Sequence, residues 1–293
     1  MSSFTDKVAV VTGAASGIGA ALAVELAERG TRLAVSDVDE VGLQATADAA
    51  RRRGVAVHTA RLDVADRDAV TAYADAVREH YGVVHQLYNN AGIALDSGSV
   101  LAAEHAGYER ILGVNLWGVI HGTKAFLPHL IASGDGHLVN ISSINGIFAQ
   151  SCSSGYCTTK FAVRGFTESV RVDMLAAGHP VRVTVVHPGG VRTNIANAAL
   201  SNAAAVGATP TARDRRRVEI YNTKLLRMPP QRAARIILDG VAAGRPRVLV
   251  GADAKLLDLL VRLMPGTAPR FAAWLDRRTF GPVTDDLPAE VRR

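Results

Sequence analysis

The sequence predicts an α/β fold, a doubly wound parallel sheet of about seven strands with helices on both faces. Three observations carry this expectation. Short apolar runs rich in β-branched residues alternate with longer stretches of helical period, the pattern of parallel strands joined by crossover helices. The first run passes directly into a glycine-rich turn, Thr12-Gly13-Ala14-Ala15-Ser16-Gly17-Ile18-Gly19. No segment repeats at a fixed period, so the pattern reads as one wound sheet rather than an array.

In chain order, the strand candidates are Val8–Thr12, Leu33–Asp37, Val55–Asp63, Gln86–Asn89, His137–Ser142, Val181–His187 and Arg247–Val250. After the first, Ile18, Leu22 and Leu26 recur at i, i+4 and i+8, and Gly30 is placed to stop that helix. Residues 1–252 are expected to form one domain. Within it, residues 194–230 are Ala/Asn-rich, contain Arg213-Asp214-Arg215-Arg216-Arg217 and end at Pro229-Pro230. That stretch is too long for an ordinary loop in a compact domain, and it is expected to be a lid insertion. Residues 253–293 are expected to form a basic amphipathic tail.

Composition narrows the class. A chain of 293 residues with 48% hydrophobic and 20% charged residues can bury a large core and is not disordered or fibrous. The charge-free stretch Val8–Val24 contains Gly13, Gly17, Gly19, Thr12 and Ser16, which disqualifies it as a membrane span. No basic segment feeds an apolar run near Met1, so a cytoplasmic protein is expected. Cys152 and Cys157 are too few for a disulfide framework or a four-cysteine zinc site; both are expected to be free thiols, and no metal is expected. The net charge of +6 is uneven. Residues 213–293 hold 17 Lys/Arg against 9 Asp/Glu, and the rest of the chain is slightly acidic.

The glycine-rich turn has the chemistry of a phosphate cradle. Glycines let the chain turn tightly and leave backbone N–H groups bare at the positive end of a helix, where a pyrophosphate can approach closely. A tight connection alone would look the same, but the second strand ends in Asp37, 18 residues after Gly19. That is close to the spacing at which an acidic side chain accepts from the ribose hydroxyls of NAD. A helix-capping role is the competing reading, with Asp39 as the rival for the ribose. A 2′-phosphate about 4 Å from a carboxylate meets roughly 4 kcal/mol of repulsion at an effective dielectric near 20. No Arg or Lys at positions 16, 38 or 39 offsets it, so NAD is expected over NADP.

Tyr156 and Lys160 lie four apart in a stretch of helical period, which puts both on one face about one turn apart. Such a pair is common on helix surfaces, but Ser143 closes the preceding strand at the carboxyl edge, where open parallel sheets bind ligands. Together with Thr12–Gly19, these residues and Asn89-Asn90-Ala91-Gly92, Asn115 in Val114-Asn115-Leu116 and Pro188-Gly189-Gly190-Val191-Arg192-Thr193 resemble the short-chain dehydrogenase/reductase family, across roughly residues 5–250.

The resemblance implies a Rossmann-type fold, a nicotinamide cofactor, a secondary alcohol or ketone as substrate, and a homo-oligomer, either dimer or tetramer. It implies that Tyr156 takes the hydroxyl proton in oxidation or donates it in reduction, and that Ser143 holds the substrate oxygen. Lys160 would acidify the phenol and grip the nicotinamide ribose. A phenol has a pKa near 10, and one cation about 4 Å away is worth roughly 4 kcal/mol, or about three pKa units. Asn115 would order a water beside Lys160, unless its amide only bonds neighbouring backbone. Gly13, Ser16, Gly17, Ile18 and Gly19 would hold the pyrophosphate side. Asp63 and Val64 would meet the adenine, Asn90, Ala91 and Gly92 would line the cleft, and Pro188, Gly189, Val191 and Thr193 would meet the carboxamide. The apolar lid and tail suggest a hydrophobic substrate, steroid-like or a long-chain alcohol. The alternatives are a redox-sensing NAD-binding module without turnover, or an epimerase or dehydratase on the same fold.

In the tail, Leu256, Leu257, Leu260, Leu263 and Met264 are expected on one helical face, with Lys255, Asp258 and Arg262 on the other. A second segment sets Phe271, Trp274 and Leu275 beside Arg270, Arg277 and Arg278. Packing of both against the domain or a sister subunit is expected ahead of a membrane surface. Arg215–Arg217 is expected to be a solvated, mobile loop, since no nucleic-acid recognition motif accompanies it.

Overall fold

A computed structural model describes residues 4–95, 98–207 and 209–281. Seven strands form one sheet: β1 (Val8–Thr12), β2 (Arg32–Asp37), β3 (Val57–Arg61), β4 (Gln86–Asn89), β5 (Gly136–Ile141), β6 (Val181–Pro188) and β7 (Arg247–Val250). Their order is β3-β2-β1-β4-β5-β6-β7, and every neighbouring pair is parallel. The expected doubly wound sheet is present. The chain winds outward in opposite directions from β1 and β4, so the crossovers part there and leave a crevice at the carboxyl ends.

The strand pattern follows from two-sided burial. β1 is buried at every residue, with Ala9 and Val11 in the core on one face and Val10 in the core on the other. The first core packs α1 (Gly17–Glu28), α2 (Glu40–Arg51) and α9 (Pro230–Ala242) on one face through Leu22, Leu26, Leu43, Ile237 and Leu238. The second packs α3 (Arg67–Tyr81), α5 (Gly118–Ala132) and α6 (Ser154–Ala176) on the other through Val70, Val77, Phe126, Leu130 and Val170. Gly30 ends α1 at φ +78, a left-handed backbone that costs a residue with a Cβ. β3 is shorter than the expected Val55–Asp63. It is an edge strand paired only with β2, so residues flanking Val57–Arg61 have no second ladder to hold them.

Between β4 and β5 the chain runs through α4 (His105–Leu112), a π-helical turn (Gly113–Trp117) and α5 as one helical rod. The stretch 194–230 contains α7 (Ile195–Ala205) and α8 (Ala212–Ile220), the latter closed by a capping box between Thr211 and Asp214. The expectation of a solvated loop at Arg215–Arg217 is corrected here. These residues are helical, and Arg217 is buried, held by Ser151 O at 2.9 Å and Ser153 Oγ at 3.1 Å. The chain ends in α10 (Ala252–Leu263) and α11 (Ala268–Phe280); residues 282–293 of the expected tail lie outside the described residues. The face expected for α10 is also corrected. Asp258 turns inward onto Arg247 and Arg262, while Leu256 and Leu263 point outward. No described helix is long and apolar enough to cross a membrane.

Gly19 sits where α1 leaves the turn. A Cβ there would run into the Gly13 carbonyl and the Asn90 side chain. Gly19→Ala is therefore expected to cost about 1–3 kcal/mol in urea denaturation, and a loss below ~0.5 kcal/mol contradicts this packing.

His137 in β5 and His187 in β6 are both buried in the sheet. Burial pushes them down to about 3 and about 4, so both stay neutral in the folded chain. Below pH 6.5 the unfolded chain binds protons that the folded chain refuses, so stability falls as the pH drops toward 4. Each histidine contributes a slope of up to ~1.4 kcal/mol per pH unit. His187→Asn should flatten the decline in unfolding free energy between pH 6 and 4.5 by about that amount; an unchanged slope refutes the assignment.

Candidate active site

The carboxyl ends of β1, β2, β4, β5 and β6 open onto one crevice of about 990 Å³. Its first wall is the turn after β1. Gly13 has φ +67, and a Cβ there would stand 2.6 Å from Ala91 Cα, so the loop after β4 can close on this turn only over glycine. Asn90 Nδ2 donates to the carbonyls of Thr12 and Gly13 at 2.9 and 3.0 Å, and Thr12 Oγ1 accepts from the backbone N–H groups of Asn90 and Ala91. Ser16, at the N-cap of α1, makes no side-chain capping bond. The N–H groups of the first helical turn are thus available to an anion at the positive end of the helix.

At the end of β2, Asp37 is half-buried and lines the crevice. Its Oδ2 accepts from Ala15 N at 2.9 Å and its Oδ1 from Asp39 N at 3.0 Å, so the carboxylate also braces the glycine turn. Asp39 is the residue that caps α2, accepting from Gly42 N at 3.1 Å. Asp63 and Val64 line the crevice beyond β3 and Leu62, with Asp63 accepting from Ala65 N and lying 3.6 Å from Arg110.

At the opposite end, Ser143, Tyr156 and Lys160 line the same crevice. Ser143 follows β5, and its Oγ accepts from Asn145 N at 3.1 Å, which holds the hydroxyl at the head of a 3₁₀ turn. His187 donates from Nδ1 to the Ser143 carbonyl at 2.9 Å and fixes that turn from β6. Tyr156 and Lys160 project from the first two turns of α6, and the Lys160 ammonium lies 5.6 Å from the centre of the Tyr156 ring. Lys160 is buried, donates to Ile141 O at 3.1 Å, and is pushed down to about 8 by desolvation. It stays largely ammonium at neutral pH.

Two residues expected at the site do not line it. Gly19 is buried behind the turn, where it admits the Gly13 carbonyl. Asn115 sits in the π-helical turn, fully buried. Its Oδ1 accepts from Ile93 N at 2.8 Å, and its Nδ2 donates to Ile93 O at 2.9 Å and to Thr159 Oγ1 at 3.3 Å. The side chain therefore bonds both main chain, at Ile93, and a side chain, at Thr159. It ties the loop carrying Asn90, Ala91 and Gly92 to α6 beside Lys160; a Cβ on Gly92 would stand 3.3 Å from Asn115 Oδ1 and 3.4 Å from Lys160 Nζ. The other expected cofactor residues, Gly13, Ser16, Gly17, Ile18, Asn90, Ala91, Gly92, Pro188, Gly189, Val191 and Thr193, all line the crevice.

Sequence reasoning missed three groups of residues. Ser142 donates to Lys160 O at 2.8 Å and locks α6 onto β5. Asp253, in the first turn of α10, accepts from Gly190 N at 2.6 Å and so holds the turn after β6. Asp276 of α11 accepts from Ser151 Oγ at 2.7 Å and lies 3.3 Å from Arg213, joining α11, α8 and the segment before Tyr156. No local pattern could have paired them, because their partners lie 18 to 125 positions away. The remaining wall is largely apolar, with Phe148, Leu226, Leu257, Leu275 and Phe280. Ring stacking of Tyr221 on Phe280 at 5.8 Å joins the π-helical turn after α8 to α11.

A family model described as short chain dehydrogenase matches residues 7–204. A Mycobacterium tuberculosis protein that carries the oxidoreductase name SadH is 51% identical over 275 residues, covering 93% of this chain and 96% of that one. A short chain dehydrogenase/reductase from Burkholderia phymatum, solved in complex with NAD, superposes with a TM-score of 0.82 at 32% identity, covering 90% of this chain and 96% of that one. An alcohol dehydrogenase from the archaeon Thermococcus sibiricus, complexed with 5-hydroxy-NADP, gives a TM-score of 0.67 at 26% identity, covering 84% and 94% of the two chains. The family model spans more than half of the chain and the Mycobacterium tuberculosis relative is matched over nearly its whole length, so the chain belongs to the short-chain dehydrogenase/reductase family, a family of oxidoreductases.

Proposed function

We propose that this oxidoreductase uses NAD to interconvert a secondary alcohol and its ketone, with a hydrophobic substrate of the steroid or long-chain alcohol kind. The observation that carries this reading is the meeting of Ser143, Tyr156 and Lys160 at one end of a crevice whose other end holds the glycine turn and Asp37. The residues fit a dinucleotide. Gly13 and Gly17 carry no Cβ where the turn faces the crevice, Asp37 presents a half-buried carboxylate on the crevice wall beside the turn, and Gly92 leaves room beside the Lys160 ammonium. When bound, the nicotinamide supplies the acceptor or donor for a hydride.

The chain's own part is to hold the substrate oxygen and move its proton. Ser143 would donate to that oxygen, and the Tyr156 hydroxyl would exchange the proton with it. Lys160 would lower the phenol's affinity for that proton. The ammonium lies 5.6 Å from the ring centre, and a cation a few ångström from a phenol oxygen favours its ionised form by an amount on the order of a few kcal/mol at an effective dielectric near 20. Because burial brings Lys160 down to about 8, this assistance is present below that pH and fades above it. The Asn115 amide would act as a positioning group, since it holds the Gly92-Ile93 loop against α6. Phe148, Leu257, Leu275 and Phe280 would take the hydrophobic body of the substrate. The alcohol dehydrogenase among the structural relatives supports an alcohol or ketone; its bound cofactor analogue is of the NADP type, so cofactor choice rests on Asp37. Exposed Trp117, Phe161, Val172 and Leu175 on the α5 and α6 side support a homo-oligomer.

A panel of secondary alcohols, sterols included, assayed by cofactor absorbance should show at least about tenfold higher kcat/KM with NAD than with NADP, and Asp37→Ser should narrow that ratio. Equal use of both cofactors by the wild type would sink the role given to Asp37. Tyr156→Phe should lower kcat by roughly 10²–10⁴-fold while leaving the Kd for NAD nearly unchanged. Residual turnover near the wild-type rate would remove the phenol from the mechanism, and NAD that copurifies and is never released as NADH would point to an epimerase.

A further inference from the structure

The two C-terminal helices are turned opposite to the usual arrangement. α10 sends Ala254 and Asp258 inward, while Leu256, Leu259 and Leu263 are 68%, 52% and 72% exposed. Spacings of three and four residues put these leucines on one stripe of the helix. Across the Pro265-Gly266 turn, α11 repeats the arrangement. Asp276 and Phe280 are buried, and Trp274, stacked on Phe271 at 5.8 Å, is 49% exposed. An exposed apolar stripe of this length is unusual on a surface that meets only water.

The charges are sorted as well. All three acids of these helices are engaged with the body of the protein: Asp253 with Gly190 N, Asp258 with Arg247 and Arg262, and Asp276 with Arg213 and Ser151. Five exposed cations, Lys255, Arg262, Arg270, Arg277 and Arg278, stand against one exposed acid, Asp253, and Arg262 is the one of the five that shares its charge with Asp258. The Arg278 guanidinium lies over the Trp274 ring at 5.6 Å, joining the basic rim to the apolar stripe. A second copy docked symmetrically on this face would bring these cations against their own kind. An anionic bilayer offers the two features the face demands, an apolar boundary and negative charge beside it.

We propose that α10 and α11 dock on the surface of an anionic phospholipid bilayer, with the leucine and tryptophan stripe at the headgroup boundary and the five cations among the headgroups. Since no described helix can cross a membrane, the contact is one of lying on the surface. Leu257, Ala272 and Leu275 of the same helices line the crevice, so docking brings its wall close to the lipid. The inference stands apart from the proposed reaction, and its test needs no substrate.

The full chain is mixed with vesicles of phosphatidylcholine and phosphatidylglycerol (about 3:1), or of phosphatidylcholine alone, and floated on a sucrose gradient at about 0.1 M and 0.5 M salt. At low salt, at least about tenfold more protein should float with the anionic vesicles than with the neutral ones, and high salt should release most of it. The variant L259Q/L263Q/W274Q should lose flotation about tenfold or more with its melting temperature and NAD affinity kept, and R270Q/R277Q/R278Q should lose the preference for anionic lipid. The proposal is overturned if the wild type stays unbound, floats equally with neutral vesicles, or floats undiminished in the leucine and tryptophan variant. It is equally overturned if sedimentation shows self-association that this variant abolishes while no vesicle binds.

Discussion

A buried ammonium organises this molecule. Lys160 lies buried in the crevice wall, where removal from water makes its charge costly to keep and makes that charge felt strongly by its neighbours. One protein oxygen, the carbonyl of Ile141, receives it directly. Everything around it limits where it can go: Ser142 clamps the lysine's own carbonyl, Asn115 fixes the loop opposite, and Gly92 leaves room for the ammonium by lacking a side chain. Helix α6, strand β5 and the loop after β4 therefore meet with little freedom, and the Tyr156 ring is set against the charge as a result.

The sheet beneath follows from a different constraint. Strands buried on both faces must be apolar throughout, and strands joined in parallel need crossovers long enough to be helices. These two demands leave marks in local sequence, which is why all seven strands and the first turn were legible from residue order. The capping role considered for Asp37 falls instead to Asp39, whose side chain accepts from Gly42 N at the start of α2. Asp37 differs only in that its carboxylate turns back to Ala15, a contact 22 positions away. Spacing from the glycine turn was enough to single it out, whereas spacing could not decide between the two readings of Asn115. Its amide partners are the backbone of Ile93 and the Thr159 hydroxyl, 22 and 44 positions away, and a buried amide's partners at that range leave no mark in local sequence.

Beyond residue 194 the sequence misleads for a physical reason. A run of arginines reads as solvated because an isolated guanidinium is costly to bury. Arg217 is nevertheless inside, because Ser151, Ser153 and Asp276 supply oxygens and Tyr221 and Phe280 supply ring faces 5.7 and 4.8 Å away. Those partners come from three separate segments. In α10 the error runs the other way: the leucine face was expected to pack against the domain or a sister subunit, but Leu256 and Leu263 are exposed while Asp258 is buried against Arg247 on the last strand. That contact spans 11 positions and joins a strand to the following helix, a pairing that the helical period alone does not reveal.

The bond from Gly190 N to the Asp253 carboxylate has a bearing on how such chains diversify. The turn after β6 lies within the residues matched by the family model, while Asp253 opens the terminal helices that lie beyond them. The two regions are thus not interchangeable modules. A chimera that grafted a foreign terminus after β7 would inherit a loosened wall on the crevice unless it brought its own acceptor for that amide, so the terminal helices and the catalytic body are bound to change together.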